Sequence, residues 1–225
     1  MNAPDLMLLA LATPLIGAIF IVLFGKIPNL RETATLVTAV TLFAVVLNLA
    51  PIVAGGGRPD LTLIQVLPGL DLRFTLEPLG MMFACIASGL WIVNSIYSIG
   101  YMRAKKESHQ TRFYVCFALA IFGAMGVALS GNMFTLFICY EVLTITTYPL
   151  VTHSGTPEAM RSGRTYLGLL LGSSIGLQLA AIIGTWYLTG TLDFREGGVF
   201  AGHVQGPVIG LLLFLYMYGI GKAAL

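Results

Sequence analysis

Long apolar runs separated by short polar stretches dominate this chain. A run of about 18 or more residues almost free of charge is what a helix needs to cross about 30 Å of hydrocarbon. Seven runs qualify, at about Leu6–Phe24, Ala34–Val53, Leu79–Tyr101, Phe113–Leu129, Met133–Val151, Tyr166–Leu188 and Val208–Leu225. Backbone groups in lipid must bond within their own segment, so each run is expected as an α-helix. Between the second and third runs the period changes. Leu70, Leu72, Phe74 and Leu76 alternate with Asp71, Arg73, Thr75 and Glu77, a period of two that predicts a strand. A second such stretch, Leu61–Leu67, is joined to it by Pro68-Gly69, which suits the central positions of a type II turn. The fold class expected is an all-α membrane protein of about seven transmembrane helices, with a short β-hairpin in the outer loop between helices two and three.

Composition sharpens this picture. The chain has 225 residues, 57% of them hydrophobic and 10% charged, whereas soluble domains carry about 25% charged residues. Its net charge of +2, with no basic cluster interleaved with stacking aromatics, excludes nucleic acid and leaves the lipid bilayer as the expected surrounding. Cys85, Cys116 and Cys139 fall in three different runs, with no CxxC or metal-ligand spacing, and read as small buried hydrophobes. The opening Met1-Asn-Ala-Pro-Asp5 has no positive segment, so the first run reads as a retained span. Small residues at every fourth position of run six (Gly168, Gly172, Gly176, Ala180, Gly184) and of run four (Ala120, Ala124, Ala128) read as helix-packing seams.

Lys and Arg in the loops predict orientation. Lys26, Arg31, Arg103, Lys105, Lys106, Arg112, Arg161 and Arg164 share one side, expected to be cytoplasmic. Arg58, Arg73 and Arg195 fall on the other, which places the N-terminus outside.

Candidate chemistry follows from charges that remain inside apolar runs. These are Glu141 in run five and Lys222 in run seven. A charge at a helix centre costs about 2.5–3.5 kcal/mol on insertion scales and usually faces a protein interior, marking an ion or proton path. Glu141 lies about 12 Å from Met133 at 1.5 Å per residue, too deep to reach water by stretching. Thr144 and Tyr148, three and seven residues on, place hydroxyls on its face. Lys222 either snorkels to the interface or sits mid-membrane. The apolar ending Ala223-Ala-Leu225 predicts the second, in an N-terminal piece of a longer protein. Burial lowers a lysine pKa and raises a glutamate pKa, and an opposite charge nearby reverses both. A buried lysine with a movable acidic partner therefore has a proton-holding and a proton-releasing setting. Gly219-Ile-Gly-Lys222 lacks the glycine spacing and following Ser/Thr of a phosphate loop. His109 and His203 fall in loops and His153 at a cytoplasmic helix end, none with a ligand partner. No cofactor or metal site is expected.

Phe134-Thr-Leu-Phe-Ile-Cys-Tyr-Glu141-Val-Leu-Thr-Ile-Thr-Thr-Tyr148-Pro-Leu resembles the fifth helix of the antiporter-like membrane subunits. That family comprises the A and D subunits of multi-subunit cation/proton antiporters, the N, M and L membrane-arm subunits of NADH–quinone oxidoreductase, and relatives in membrane-bound hydrogenases. Asn94-Ser-Ile-Tyr-Ser-Ile-Gly-Tyr-Met102 is similar to the close of the family's third helix, and Gly221-Lys-Ala-Ala-Leu225 to the start of its Lys-Ala-Ala-Leu-Phe-Pro pattern in helix seven. Thr147-Tyr-Pro-Leu-Val-Thr-His153, followed by Gly163-Arg-Thr-Tyr-Leu167, is similar to the branch of antiporter D subunits. Where the family usually carries Asp-Leu-Ser at the third helix, this chain has Glu77-Pro-Leu-Gly80.

The resemblance implies a subunit of about fourteen helices with two five-helix inverted repeats. Residues 1–110 would then hold three helices and the hairpin, and residues 111–225 the start of the first repeat, truncated in helix seven. It implies proton translocation by Glu141 and Lys222, supported by Thr144, Tyr148, His153 and Arg164. The expected partners are other membrane subunits, protons and Na+, in a bacterial inner membrane. The alternative implied is a proton-pumping membrane-arm subunit of an NADH–quinone oxidoreductase or hydrogenase, with the redox chemistry in other subunits. A retinal-binding protein is the remote alternative. Run three contains no acid to serve as its counterion.

Overall fold

The computed structural model describes residues 2–195, 197–200, 202, 204 and 206–221. Lys222 and His203 lie outside the described residues. Among those described, six helical stretches are long and apolar enough to cross a bilayer: α1 (Ala3–Leu23), α2 (Pro28–Ala54), α3 (Pro78–Lys105), α4 (Gln110–Ala128), α5 (Met133–Val151) and a composite span, Pro157–Thr189. The composite span is α6 (Pro157–Ser173), a π-helical segment (Ser174–Leu179) and α7 (Ala180–Thr189). The seventh apolar run forms a shorter apolar helix, α8 (Pro207–Ile220). The helical membrane architecture expected from the sequence is the one observed.

Local chemistry explains the starts. Pro28, Pro78, Pro157 and Pro207 open their helices, where a missing N–H costs nothing and φ is already helical. Asn132 and Thr156 cap α5 and α6 through side-chain oxygens that accept from Thr135 N and Ala159 N. Two spans begin well before the apolar runs that announced them. The composite span starts at Pro157, ahead of Tyr166, because its polar opening turns also form helix. Helix α2 starts at Pro28, so Arg31 is a helical residue and not a loop residue.

The hairpin pairs β1 (Asp60–Leu67) antiparallel with β2 (Leu70–Thr75). Gly69 has φ +76°, as the third position of a type II turn requires. A Cβ there would also strike the carbonyl of Gly190 at the end of α7. The hairpin tip therefore fits only glycine.

Helix α1 packs on α2 and α4, α2 on α3, and α4 most closely on α5. The main core, with Met7, Ile21, Leu42, Leu49, Trp91, Tyr114, Met125 and Leu129 buried, lies within this group. A smaller cluster of Phe137, Ile182 and Leu192 links α5 to the composite span. Large apolar side chains such as Leu79, Tyr187 and Met217 are exposed, as a hydrocarbon surround allows. The predicted seams divide. In α4, Gly123 and Gly126 make the close approach, where added Cβ atoms would lie 3.0 Å from Leu143 N and 2.5 Å from Cys139 Sγ of α5. Ala128 does serve as a seam, since Gly80 of α3 packs against its carbonyl. In the composite span no described residue lies within 4 Å of where Cβ atoms on Gly168, Gly172 and Gly176 would sit, whereas one on Gly184 would meet Leu212 of α8. Small residues permit close approach without supplying the partner.

At the end that carries the positive loops, Arg31 and Glu32 are buried. Arg31 donates to Gln110 Oε1 at 2.7 Å and Thr111 Oγ1 at 3.3 Å, and its guanidinium lies 5.2 Å from the Tyr114 ring centre. Arg103 donates to both Glu32 oxygens and, at 2.6 Å, to Asn29 Oδ1. Thr111 reaches back to Gly25 O at 3.1 Å. These bonds tie the α1–α2 turn to α3 and α4. Removing the acid strands a buried guanidinium, a change that costs about 3–5 kcal/mol in comparable buried pairs. Glu32→Ala is expected to lower the thermal midpoint of the detergent-solubilised protein markedly. An unchanged midpoint would show that the network carries no stability.

Candidate functional site

The register of α5 is fixed at the end that meets the hairpin. Asn132 Oδ1 accepts from Thr135 N at 2.8 Å while its amide donates to Asp71 O at 2.8 Å. Arg73 N donates to Thr135 Oγ1 at 2.9 Å. Thr75 N bonds Leu129 O at 2.7 Å, Gly131 N bonds Arg73 O at 2.9 Å and Met133 N bonds Leu192 O at 3.0 Å. The hairpin, the α4–α5 turn and the strand-like segment after α7 thus form one hydrogen-bonded cover. Arg73 adds ion pairs to Asp60 at 2.7 Å and Asp193 at 3.6 Å. The Asp60 hydrogen bond raises its pKa, so the cover stays charged.

Below this cover Glu141 falls near the middle of the nineteen-residue α5. Its side chain is half-buried and the Oε2 atom is shielded. Cys139 and Leu143 face α4 across the glycine contacts, so Glu141 projects from the opposite side of α5. Thr144 and Tyr148 share that side. Thr144 is buried and its hydroxyl donates to Tyr140 O at 2.9 Å. A hydroxyl oxygen accepts as well as donates, which suits it to a neighbouring protonated carboxyl or a water. The Tyr148 ring lies against Gly163 of α6, 3.2 Å from where a Cβ would sit. The carboxyl, the two hydroxyls and the α6 contact therefore share one side, as the spacing predicted.

Helix α8 closes this region. Tyr140 Oη lies 3.5 Å from Ile220 O, and Thr185 of α7 bonds Tyr216 of α8 at 3.0 Å. A Cβ on Gly219 would sit 2.5 Å from Gln178 N and 2.6 Å from Gln178 Cβ, in the π segment. Gln178 is fully buried, and neither its amide nitrogen nor its oxygen has a hydrogen-bond partner among the described residues. A buried polar group left unpaired costs about 1–3 kcal/mol. No charge marks this residue, so sorting the apolar runs for ionisable groups misses it. A lone amide within the apolar run from Ile175 to Tyr187 was the available signal.

Of the other residues expected to assist, Arg164 is exposed on α6. His153 sits at the α5–α6 turn, edge-on to Phe113 with ring centres 5.7 Å apart, and its carbonyl accepts from Arg112 at 3.2 Å. Both ring nitrogens are shielded, with no hydrogen-bond partner among the described residues.

No family model matches the chain. It is 24% identical over 214 residues to the D subunit of the Na(+)/H(+) antiporter of Alkalihalophilus pseudofirmus, covering 95% of this chain and 43% of that protein. It is 27% identical over 219 residues to the N subunit of the NADH-quinone oxidoreductase of Myxococcus xanthus, covering 90% and 41%. Its homologues are antiporter subunits and NADH-quinone oxidoreductase subunits. A chain of the membrane-bound sulfane sulfur reductase, an archaeal respiratory membrane complex, superposes with a TM-score of 0.83 at 20% identity, over 96% of this chain and 44% of that one. That likeness shows the shared fold, and the protein is an integral membrane protein. The chain spans less than half the length of these homologues.

The charged surroundings of His153 can be tested directly. Burial first, then Arg112 and His109, hold its imidazole below the ordinary value, against the opposing pull of Glu107. The unfolded chain then binds the proton at higher pH than the folded one, so stability falls as pH drops through about 6.5 towards the folded value. The thermal midpoint is expected to decline between about pH 7 and pH 5, and His153→Phe to flatten that decline. An unaltered slope in the variant would remove the imidazole from the account.

Proposed function

We propose that this chain supplies the first part of a proton-translocating membrane subunit of a multi-subunit cation/proton antiporter, with Lys222 the proton carrier and Glu141 its modulator. The observation that carries this reading is the placement of Glu141. It sits mid-helix with Oε2 shielded, on the side of α5 turned from α4, next to the tyrosine that contacts the last turn of α8. Lys222 follows that turn directly in sequence. Thr144 and Tyr148 supply hydroxyls along the carboxyl's face, and His153 and Arg164 lie towards the positive end, which we assign to the cytoplasm. On this reading residues 1–110 form an accessory three-helix unit with its hairpin. Residues 111–225 begin the first inverted repeat. The N-terminus is outside, Na+ is the exchanged cation, and other membrane subunits complete the assembly in a bacterial inner membrane.

A second reading is favoured by the similarity to the N subunit of NADH-quinone oxidoreductase. The same pair would then move protons in a respiratory membrane arm, driven by redox chemistry in other subunits. The two differ in what drives transport. The antiporter reading requires Na+ addition to collapse a pH gradient without an electron donor, and the respiratory reading requires the donor.

Inverted membrane vesicles bearing the intact assembly test both. Glu141→Gln, which keeps shape and removes the ionisable group, is expected to slow proton-coupled exchange about a hundredfold, the scale of losing a positioned proton-transfer group. Assembly should be preserved on a native gel. Wild-type exchange rates in this variant would end the reading.

A further inference from the structure

A groove of about 600 Å³ opens at the hairpin end, between the start of α3, the close of α4 and the segment after α7. Close backbone contacts form its walls. A Cβ on Gly80 of α3 would overlap Ala128 O of α4, and one on Gly131 would lie 2.5 Å from Thr75 Oγ1 of β2. Away from the hairpin the groove is apolar, with Leu79, Met82, Phe83 and Ile86 of α3 facing Leu136 and Phe194. The four α3 side chains and Phe194 are exposed, so this apolar floor is uncovered. At the hairpin the rim holds Arg73, Glu77 and Asp193, two carboxylates to one guanidinium, each more than a third exposed. Their ion pairs are loose. Arg73 stands 3.6 Å from Asp193, and Glu77 stands 3.6 Å from Arg58.

Three helices end at the level of this rim: α3 begins at Pro78, α4 closes at Ala128 and α5 begins at Met133. Ile86 lies about 12 Å further along α3 at 1.5 Å per residue. A spanning helix of another subunit needs a seat along about 30 Å of hydrocarbon, whereas an acyl chain of one leaflet covers about half of that. We propose that the groove binds one phospholipid with a phosphoethanolamine headgroup, its acyl chain lying along the start of α3. The charge balance of the rim selects the headgroup. The ammonium donates to the carboxylates of Glu77 and Asp193. The Ser130 hydroxyl, which donates to Gly126 O at 2.7 Å, keeps lone pairs that also suit it. The phosphate meets Arg73, whose ion pairs engage Nε and Nη1 and leave further N–H donors. An anionic headgroup without an ammonium meets two carboxylates against one guanidinium. Among the described residues Glu141 does not line the groove, so the site stands independently of the proton-carrier reading.

The intact assembly in nanodiscs tests this with a phosphatidylethanolamine that carries a photoreactive group on one acyl chain. Cross-links mapped by peptide mass spectrometry are expected to concentrate on residues 79–86 and Phe194. The equally exposed Leu90, Val93 and Tyr97 further along α3 should take far fewer. Unlabelled phosphatidylethanolamine is expected to displace the probe about tenfold more effectively than phosphatidylglycerol, the scale of one hydrogen bond to a charged group. Met82→Trp fills the groove from an exposed position and should abolish the focused labelling. The double variant Glu77→Gln, Asp193→Asn keeps the shape of the rim, and should keep the labelling while the two lipids displace the probe equally. If it fails to assemble, Glu77→Gln alone decides, with a preference smaller than that of the wild type expected. Equal displacement by both lipids in the wild type overturns the proposal, as does an unchanged preference in the acid variant. Labelling spread evenly along α3, or unaltered in Met82→Trp, marks ordinary bilayer contact and also overturns it. Absence of labelling, the result when a neighbouring subunit covers the groove, does the same.

Discussion

A carboxyl group halfway along a membrane helix is costly unless the protein around it governs its surroundings, so packing must set how deep it sits and which way it looks. Helix α5 meets that constraint from two directions. Its register is pinned at Asn132 and Thr135 by the hairpin backbone, which fixes how deep Glu141 sits. Its rotation is pinned by Gly123 and Gly126, which press α4 against Cys139 and Leu143. With one side of α5 occupied by close backbone packing, the carboxyl is turned towards the side bordered by α6 and α8. The depth and rotation of α5 at the acid therefore follow from contacts made elsewhere on the helix.

The two ends of the helices are held by different physics. At the hairpin end, a hydrogen-bonded cover of β2, the α4–α5 turn and the segment after α7 satisfies backbone groups that would otherwise be left unpaired. At the opposite end the joint is ionic: Glu32 lies between Arg31 and Arg103, and Gln110, Thr111 and Asn29 accept from further guanidinium nitrogens, while Arg31 Nε finds no partner among the described residues. Charges buried in this way contribute specificity more dependably than net stability. The network lies at the helix ends, where Arg103 retains contact with solvent. That placement spares it the cost of full mid-membrane desolvation. Helices α1 to α4, joined so, make a frame against which α5 is set.

How much of this could be read in the sequence depends on how far apart the partners lie. The hairpin was legible because a period of two is a local signal, and its turn because Pro68-Gly69 fits one turn type. Glu141 was legible because a lone acid in an apolar run is costly wherever the helix packs. Arg31 and Glu32 were not, since their partners Arg103, Gln110 and Thr111 lie 71 to 80 residues away. Apolar runs also say little about where a polar first turn begins. Most of the glycine stripe of the composite span has no helix against it among the described residues. Gly168, Gly172 and Gly176 announce a surface that another helix can approach, and sequence cannot say whether that helix is in the same chain. The π segment, a single widened turn, leaves no local signature in the sequence, and its contact with Gly219 lies about forty residues away.

That widened turn bears on why the membrane interior keeps an amide in an apolar stretch. An isosteric hydrophobe at Gln178 would remove two buried polar atoms and their desolvation cost, so packing alone does not account for a glutamine. Helix α8 is held at a short distance by Gly219 against the π turn and in rotation by the bond from Tyr216 to Thr185. The last turn of α8 thus meets Tyr140 of the helix that carries Glu141 as well as the π turn that carries Gln178.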